Sequence, residues 1–158
     1  MNLRRHVEIR VGERLADADP DVFACETVPC LAEAEALLAE VDRLGVPAWL
    51  SLTTVPGPDG EPLTRRGEPA SEAFAMAAEV PAVLAVGVNC VAPEGVAAAV
   101  LAAARAADGT ADGTRAVVVY PNSGETWDAP RRAWRGRPGF APDDVTAWTE
   151  GGARLVGG

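Results

Sequence analysis

Apolar runs of five to eight residues alternate along the chain with longer stretches in which apolar positions recur every three or four residues. That alternation is the mark of parallel strands joined by crossover helices. The runs predict five strands, Val22 to Glu26, Ala48 to Thr53, Val83 to Asn89, Ala116 to Tyr120 and Ala153 to Gly157. Several are apolar nearly throughout, so burial on both faces is expected. Between the first two strands, Leu31, Ala34, Leu38, Val41 and Leu44 form one stripe, with Pro29 near its start and Gly45 just past its end. A second helix is expected behind Ser71 as N-cap, with Phe74 and Ala78 turned inward and Pro81 stopping it. Alanine-rich Pro93 to Ala107 and the segment Pro142 to Glu150 complete the set. Arg4 to Ala18, with Val7, Val11 and Leu15 at fourfold spacing, is also expected to be helical.

The connections are unequal. Links from helix into strand are brief, whereas Thr54 to Ala70 and Pro121 to Ala141, which follow strands, are long. In parallel α/β folds the carboxyl ends of the strands host chemistry, because loops there vary without disturbing the packed sheet. The residues that close the strands are therefore the candidates.

Composition narrows the chemistry. With 158 residues the chain holds one core, and 48% hydrophobic against 23% charged residues is a globular balance. There is no lysine, which removes Schiff-base chemistry and a phosphate loop with its lysine. His6 is the single histidine and sits in a charged segment, so a hydrolase with an imidazole base is not expected. The net charge of -9, with no basic stripe, argues against a nucleic-acid partner. No apolar run is long enough to span a membrane and no signal peptide is visible, so a cytoplasmic protein is expected. Cys25, Cys30 and Cys90 are too few and scattered for a disulfide framework, which leaves thiol, metal-ligand or carboxylate chemistry.

Glu26 closes the first strand in Phe23-Ala24-Cys25-Glu26-Thr27-Val28-Pro29. A carboxylate there is costly unless it meets a polar cleft or a cation, which points to a ligand contact; pairing with the dipole of the following helix is the alternative. Cys25, one residue earlier, faces the opposite side and reads as core. Cys90 follows Gly87-Val88-Asn89 at the level of Glu26, and its ordinary alternative is a buried thiol. The polar turn Asn122-Ser123-Gly124-Glu125 follows the fourth strand, where turn chemistry alone explains its composition. Trp49, Trp127, Trp134 and Trp148 are assigned to core or loop packing before any ligand face.

Four segments in register carry a resemblance: Cys25-Glu26-Thr27-Val28-Pro29, Gly87-Val88-Asn89-Cys90, Tyr120-Pro121-Asn122-Ser123-Gly124-Glu125 with Trp127-Asp128, and Gly152-Ala153-Arg154-Leu155-Val156-Gly157-Gly158. Together they resemble the homocysteine S-methyltransferase family, in the branch that uses S-methylmethionine or S-adenosylmethionine. The resemblance implies an α/β fold in which this chain forms about the last five βα units of a (β/α)8 TIM barrel. It implies zinc held by three cysteine thiolates, of which Cys90 matches one and serves catalysis through the metal. The other two belong directly after the final Gly-Gly, beyond Gly158. It further implies that Glu26 holds the amino group of homocysteine and that Asn89 and Asn122 shape the substrate mouth. A closed barrel usually takes ~250 residues, so 158 residues predict one incomplete domain, 1–158, with open strand edges. Such edges invite a homo-oligomer or a complementing chain. The readings that remain are a zinc-dependent methyl transfer from a sulfonium donor to homocysteine, a non-catalytic subunit, and a metal-free thiol enzyme using Cys90 directly.

Overall fold

The computed structural model describes residues 12–109, 115–139 and 141–157. Most of the helix expected over Arg4 to Ala18, and His6 with it, lies outside them; residues 12–16 are helical. The elements then run β1 (Phe23–Val28), α1 (Leu31–Leu44), β2 (Ala48–Leu52), β3 (Thr54–Pro56), β4 (Pro62–Thr64), α2 (Ala70–Ala78) and β5 (Val83–Asn89). They continue with α3 (Pro93–Asp108), β6 (Ala116–Tyr120), β7 (Thr126–Asp128), β8 (Ala133–Arg135), α4 (Pro142–Glu150) and β9 (Ala153–Val156).

The five expected strands form one parallel sheet in the order β1-β2-β5-β6-β9. It does not close on itself. The helix α1 ends as its sequence dictates, with Gly45 in the left-handed region at φ 67° donating its N–H to Val41. The helix α2 begins one residue before the expected Ser71 cap, because Pro69 leads into Ala70 and no side chain caps it.

Helices pack on one face of the sheet. Ala34, Leu38, Val41, Phe74, Val96, Val100 and Trp148 meet Leu50, Leu52, Val86, Val88, Val117 and Val119 there. Burial on both faces, as the apolar runs suggested, holds for the central strands β2, β5 and β6 and fails at the edge strands β1 and β9. On the other, concave face Ala24, Glu26 and Leu155 are exposed, because neither helix nor strand covers them among the described residues. The strands are apolar there for another reason: Ala85 and Val118 are buried by their own neighbours Trp49 and Tyr120 along the sheet.

Both long connections fold back as short antiparallel hairpins, β3 with β4 and β7 with β8. The first is tied to α1 by Glu68, whose Oε2 accepts from the Leu31 N–H at 3.0 Å and from Thr64 Oγ1 at 2.7 Å. At the opposite end of the sheet Arg115 donates from Nε to Val83 O and from Nη2 to Val80 O, both at 2.8 Å, and from Nη1 to Ala78 O. This guanidinium fastens the end of α2 to the start of β5, away from the long loops.

Candidate active site

Strand β1 carries a bulge where its chemistry lies. Cys25 pairs with Leu50 and Val28 with Leu52, so three residue steps on β1 match two on β2. Glu26 and Thr27 together therefore oppose Ser51, and a bulge of this kind redirects side chains at a sheet rim. Cys25 and Val28 both turn to the helix layer. Thr27 adopts φ 61°, a left-handed backbone that costs a β-branched residue energy.

A second residue of the same kind faces it. Cys90, directly after β5, has φ 51°. Asn89 joins the two: its Oδ1 accepts from the Thr27 N–H at 2.7 Å, and its Nδ2 donates to Thr27 Oγ1 at 2.8 Å and to Cys90 Sγ at 3.4 Å. Thr27 Oγ1, an acceptor toward Asn89, donates its own proton toward Cys90 Sγ at 3.7 Å. Strained backbone at facing strand ends persists only where its surroundings over-determine it, and the buried Asn89 amide does that here. The Cys90 thiol itself is exposed at the carboxyl end of the sheet. Behind it Thr53 Oγ1 donates to Cys90 O at 3.2 Å, and Arg65 holds that Thr53 oxygen from Nε and Nη2 at 3.2 and 3.1 Å.

On the concave face Trp49 Nε1 donates to the Tyr120 hydroxyl at 3.0 Å, and that hydroxyl donates to Glu26 Oε2 at 3.0 Å. Glu26 is on β1 and Tyr120 on β6, three strand spacings apart in the sheet order. A flat sheet would separate the two by ~14 Å, further than the two side chains reach, so the contact reports strong curvature. Gly87 contributes to that curvature: a Cβ on it would stand 1.7 Å from Val118 O, an approach of β5 to β6 that glycine alone permits. Burial pushes the Tyr120 phenol above its ordinary value; Glu26 adds to the rise, while Ser51 and Trp49 oppose it. The Ser51 hydroxyl, fully buried beside them, makes no hydrogen bond of good geometry.

The structure thus brings Glu26, Asn89 and Cys90 to one end of the sheet, as strand-end reasoning expected. Asn122 stands at the same end, its N–H bonded to Val91 O at 2.9 Å. Thr27, Trp49, Thr53, Arg65 and Tyr120 join them without having been singled out as site residues. Strand alternation was the available signal for Trp49, since it lies two residues from Ser51 on one face of β2. The other two thiols are elsewhere. Cys30 is buried at the start of α1, and burial among the helices pushes the Cys25 thiol up to about 11. Among the described residues no group of three or more His, Cys, Asp or Glu stands together to hold a metal ion. A catalytic zinc normally takes three protein ligands, so the single presented thiolate does not fit one by itself. Trp148 is core, whereas Trp127 and Trp134 form an exposed edge-to-face pair in the β7–β8 hairpin, 5.3 Å between ring centroids.

A profile of the family described as Homocysteine S-methyltransferase matches residues 3–158. Homocysteine S-methyltransferase 4 of Zea mays is 37% identical over 151 residues, which span 91% of this chain and 41% of that protein. Selenocysteine methyltransferase of Astragalus bisulcatus is 35% identical over 161 residues, spanning 98% and 43%. The apo crystal structure of the homocysteine methyltransferase MmuM from Escherichia coli superposes with a TM-score of 0.70 at 31% identity, over 98% of this chain and 51% of that one. Its metallated form gives 0.65 at 33% identity, over 92% and 42%. The chain therefore spans about two fifths to half the length of the relatives it matches, and its five strands correspond to part of their barrel. With the profile running from residue 3 to residue 158, the chain belongs to the homocysteine S-methyltransferase family.

Proposed function

We propose that this chain carries the acceptor-binding part of a methyltransferase that moves a methyl group from a sulfonium donor, S-methylmethionine or S-adenosylmethionine, to the thiol of homocysteine, giving methionine. The observation that carries the reading is the meeting of an exposed thiol, Cys90, and a carboxylate, Glu26, that has no ion-pair partner among the described residues, at the carboxyl end of one parallel sheet. In the transfer the acceptor sulfur forms a bond to the methyl carbon as the donor's S–C bond breaks. The bond's electron pair stays on the donor sulfur, so the thiolate and sulfonium charges are both consumed. Glu26 takes the ammonium of homocysteine, and Asn122 borders the mouth. Asn89 and Thr27 direct the Cys90 sulfur. The implied metal is zinc, which would hold the acceptor sulfur as a thiolate, its proton passing to solvent, without a histidine base. Cys90 would be one ligand to it, and the described residues do not complete a set; Glu26, Asn89, Thr27 and Asn122 bind and orient.

The test is homocysteine binding by calorimetry, zinc stoichiometry, and methionine formed from homocysteine and S-methylmethionine. Binding that falls about tenfold or more in Glu26→Gln is expected, as for loss of a charge-assisted contact. Turnover by the chain alone is expected to be weak. Rapid turnover retained in Cys90→Ala would overturn the assignment of the thiol.

A second reading is favoured by the sheet edges: among the described residues β1 and β9 each pair on one side only, and Leu155 and Val156 are exposed beside that edge. In that reading the chain is a subunit whose barrel is completed by another chain or a second copy. Light scattering separates the two, since a monodisperse monomer that binds homocysteine excludes assembly as a requirement for binding.

A further inference from the structure

Hydrogen-bond direction on the concave face fixes more than a contact. The indole nitrogen of Trp49 can only donate, so the Tyr120 oxygen accepts from it. The phenol has one proton, and it goes to Glu26 Oε2. Glu26 Oε2 therefore accepts from the phenol, and among the described residues its other oxygen stays open toward the concave face. Trp49 is itself held in place: its partners across the sheet are Ala24 on β1 and Ala85 on β5, small residues that leave room for the indole. No described arginine forms an ion pair with Glu26, although four such pairs occur elsewhere. The carboxylate is anchored at one oxygen and has no counter-charge among the described residues.

We infer that Tyr120, held by Trp49, is a positioning residue that fixes Glu26 for a protonated primary amine, and so makes this site discriminate amine-bearing thiols from amine-free ones. The inference rests on the reading of Glu26 as the ammonium contact and adds the residues that set its selectivity. An untethered Glu26 on an exposed strand rim would sample several rotamers, and the cost of ordering it would be met on binding. The relay removes that cost beforehand. It acts only through Glu26, so its loss leaves contacts to the thiol and carboxylate ends of a ligand unaltered.

The probes are homocysteine and 4-sulfanylbutanoate, which has the same thiol and carboxylate without the amine, bound to the full chain and followed by calorimetry. The wild-type chain is expected to prefer homocysteine. Tyr120→Phe and, independently, Trp49→Phe are expected to lose roughly three- to tenfold in homocysteine affinity and nothing toward 4-sulfanylbutanoate. A Tyr120→Phe chain that is folded and keeps the wild-type preference, while Glu26→Gln loses it, overturns the relay and leaves Glu26 standing. A wild-type chain without preference, or one whose preference survives Glu26→Gln, overturns the ammonium contact itself and the relay with it.

One measurement needs no ligand. Tyr120 is the only tyrosine, so the tyrosine doublet in the Raman spectrum reports its hydroxyl alone. That doublet is expected to shift toward a stronger acceptor in Glu26→Gln, which weakens the bond the phenol donates, and toward a stronger donor in Trp49→Phe, which removes the bond it accepts. A doublet unchanged in both variants overturns the inference.

Discussion

The left-handed backbone at Thr27 makes a quantitative prediction, because one side chain there combines strain with a hydrogen-bonded oxygen. At φ 61° a residue with a Cβ costs about 1–2 kcal/mol more than glycine. Thr27→Ala keeps that strain and removes Oγ1, which leaves the buried Asn89 Nδ2 without one of its partners. An unsatisfied buried donor costs about 1–3 kcal/mol. Thr27 is exposed, so water replaces part of the lost bond and the lower end, about 1 kcal/mol, is expected. Thr27→Gly loses the same bond but releases the strain, offset by about 0.4–1 kcal/mol of extra chain entropy in the unfolded state. Glycine should therefore exceed alanine in stability by roughly 0.5–1 kcal/mol, reversing the order found at an ordinary strand position. Urea unfolding followed by tryptophan fluorescence measures the difference, with Thr27→Ser as the control that keeps the oxygen. If alanine proves more stable than glycine, the backbone at Thr27 stores no strain and the argument fails.

Four other outcomes follow from the structure. Gly87→Ala should cost about 3 kcal/mol or more, since the added methyl meets backbone at Val118 that cannot swing away, and a midpoint unchanged in urea would refute the close approach. The Tyr120 phenol, raised chiefly by burial, should ionise above the ordinary value of about 10 in an ultraviolet absorbance titration. Its contribution to stability is fully present below that value and is lost as pH rises through the folded one; Glu26→Gln should bring the midpoint down. Glu68, held below the usual carboxylate range first by Thr64 and then by the Leu31 N–H, stabilises the fold above about pH 4.3, and this is lost as pH falls through its lower folded value. Glu68→Gln should thus flatten the acid side of the stability curve, as read by chemical denaturation from neutral pH downward. Finally, with Cys25 pushed up to about 11 by burial and Cys30 buried, iodoacetamide at about pH 8 should label Cys90 first by mass spectrometry; equal rates at Cys25 would contradict its place in the helix layer.

The parallel sheet was legible because its strands are unbroken apolar runs and because α1 has both a periodic stripe and Gly45 to end it. The hairpins were not. The strands β3, β4, β7 and β8 are three residues each, too short for any period to show. That Glu26, Asn89 and Cys90 stand at one end of the sheet was legible, since position in a parallel fold depends on element order alone. What Asn89 does was hidden, because its amide is engaged by Thr27, 62 positions earlier in the chain, and only the folded sheet brings them together. The Tyr120 contact with Glu26 spans 94 positions and requires the curvature that Gly87 allows, a property of two backbones rather than of any residue pattern. Burial on both faces was read correctly for β2, β5 and β6 and overestimated only for the edge strands β1 and β9, because an apolar run does not reveal its place in the sheet order.

The bulge in β1 shows how a small irregularity can create a site. In a regular strand Glu26 and Thr27 would point to opposite faces, so only one of them could serve the concave side. With three steps on β1 matched to two on β2, Cys25 and Val28 both stay in the helix layer while Glu26 and Thr27 share the other side. Packing is therefore kept on one face, and the two polar residues are delivered together on the other. The tasks they then take differ. Glu26 is drawn into the Trp49–Tyr120 relay, and Thr27 into the Asn89 amide beside Cys90. One strand end thus serves both the carboxylate and the sulfur, which fixes their relative placement through a single backbone segment rather than through two loops. Deleting the extra residue would restore regular pairing and the apolar core together. It would also remove the Thr27 hydroxyl while leaving Glu26 opposite Ser51 on the concave side, so a deletion at Thr27 should leave a folded chain whose Cys90 sulfur has lost a donor and whose preference for amine-bearing thiols is kept.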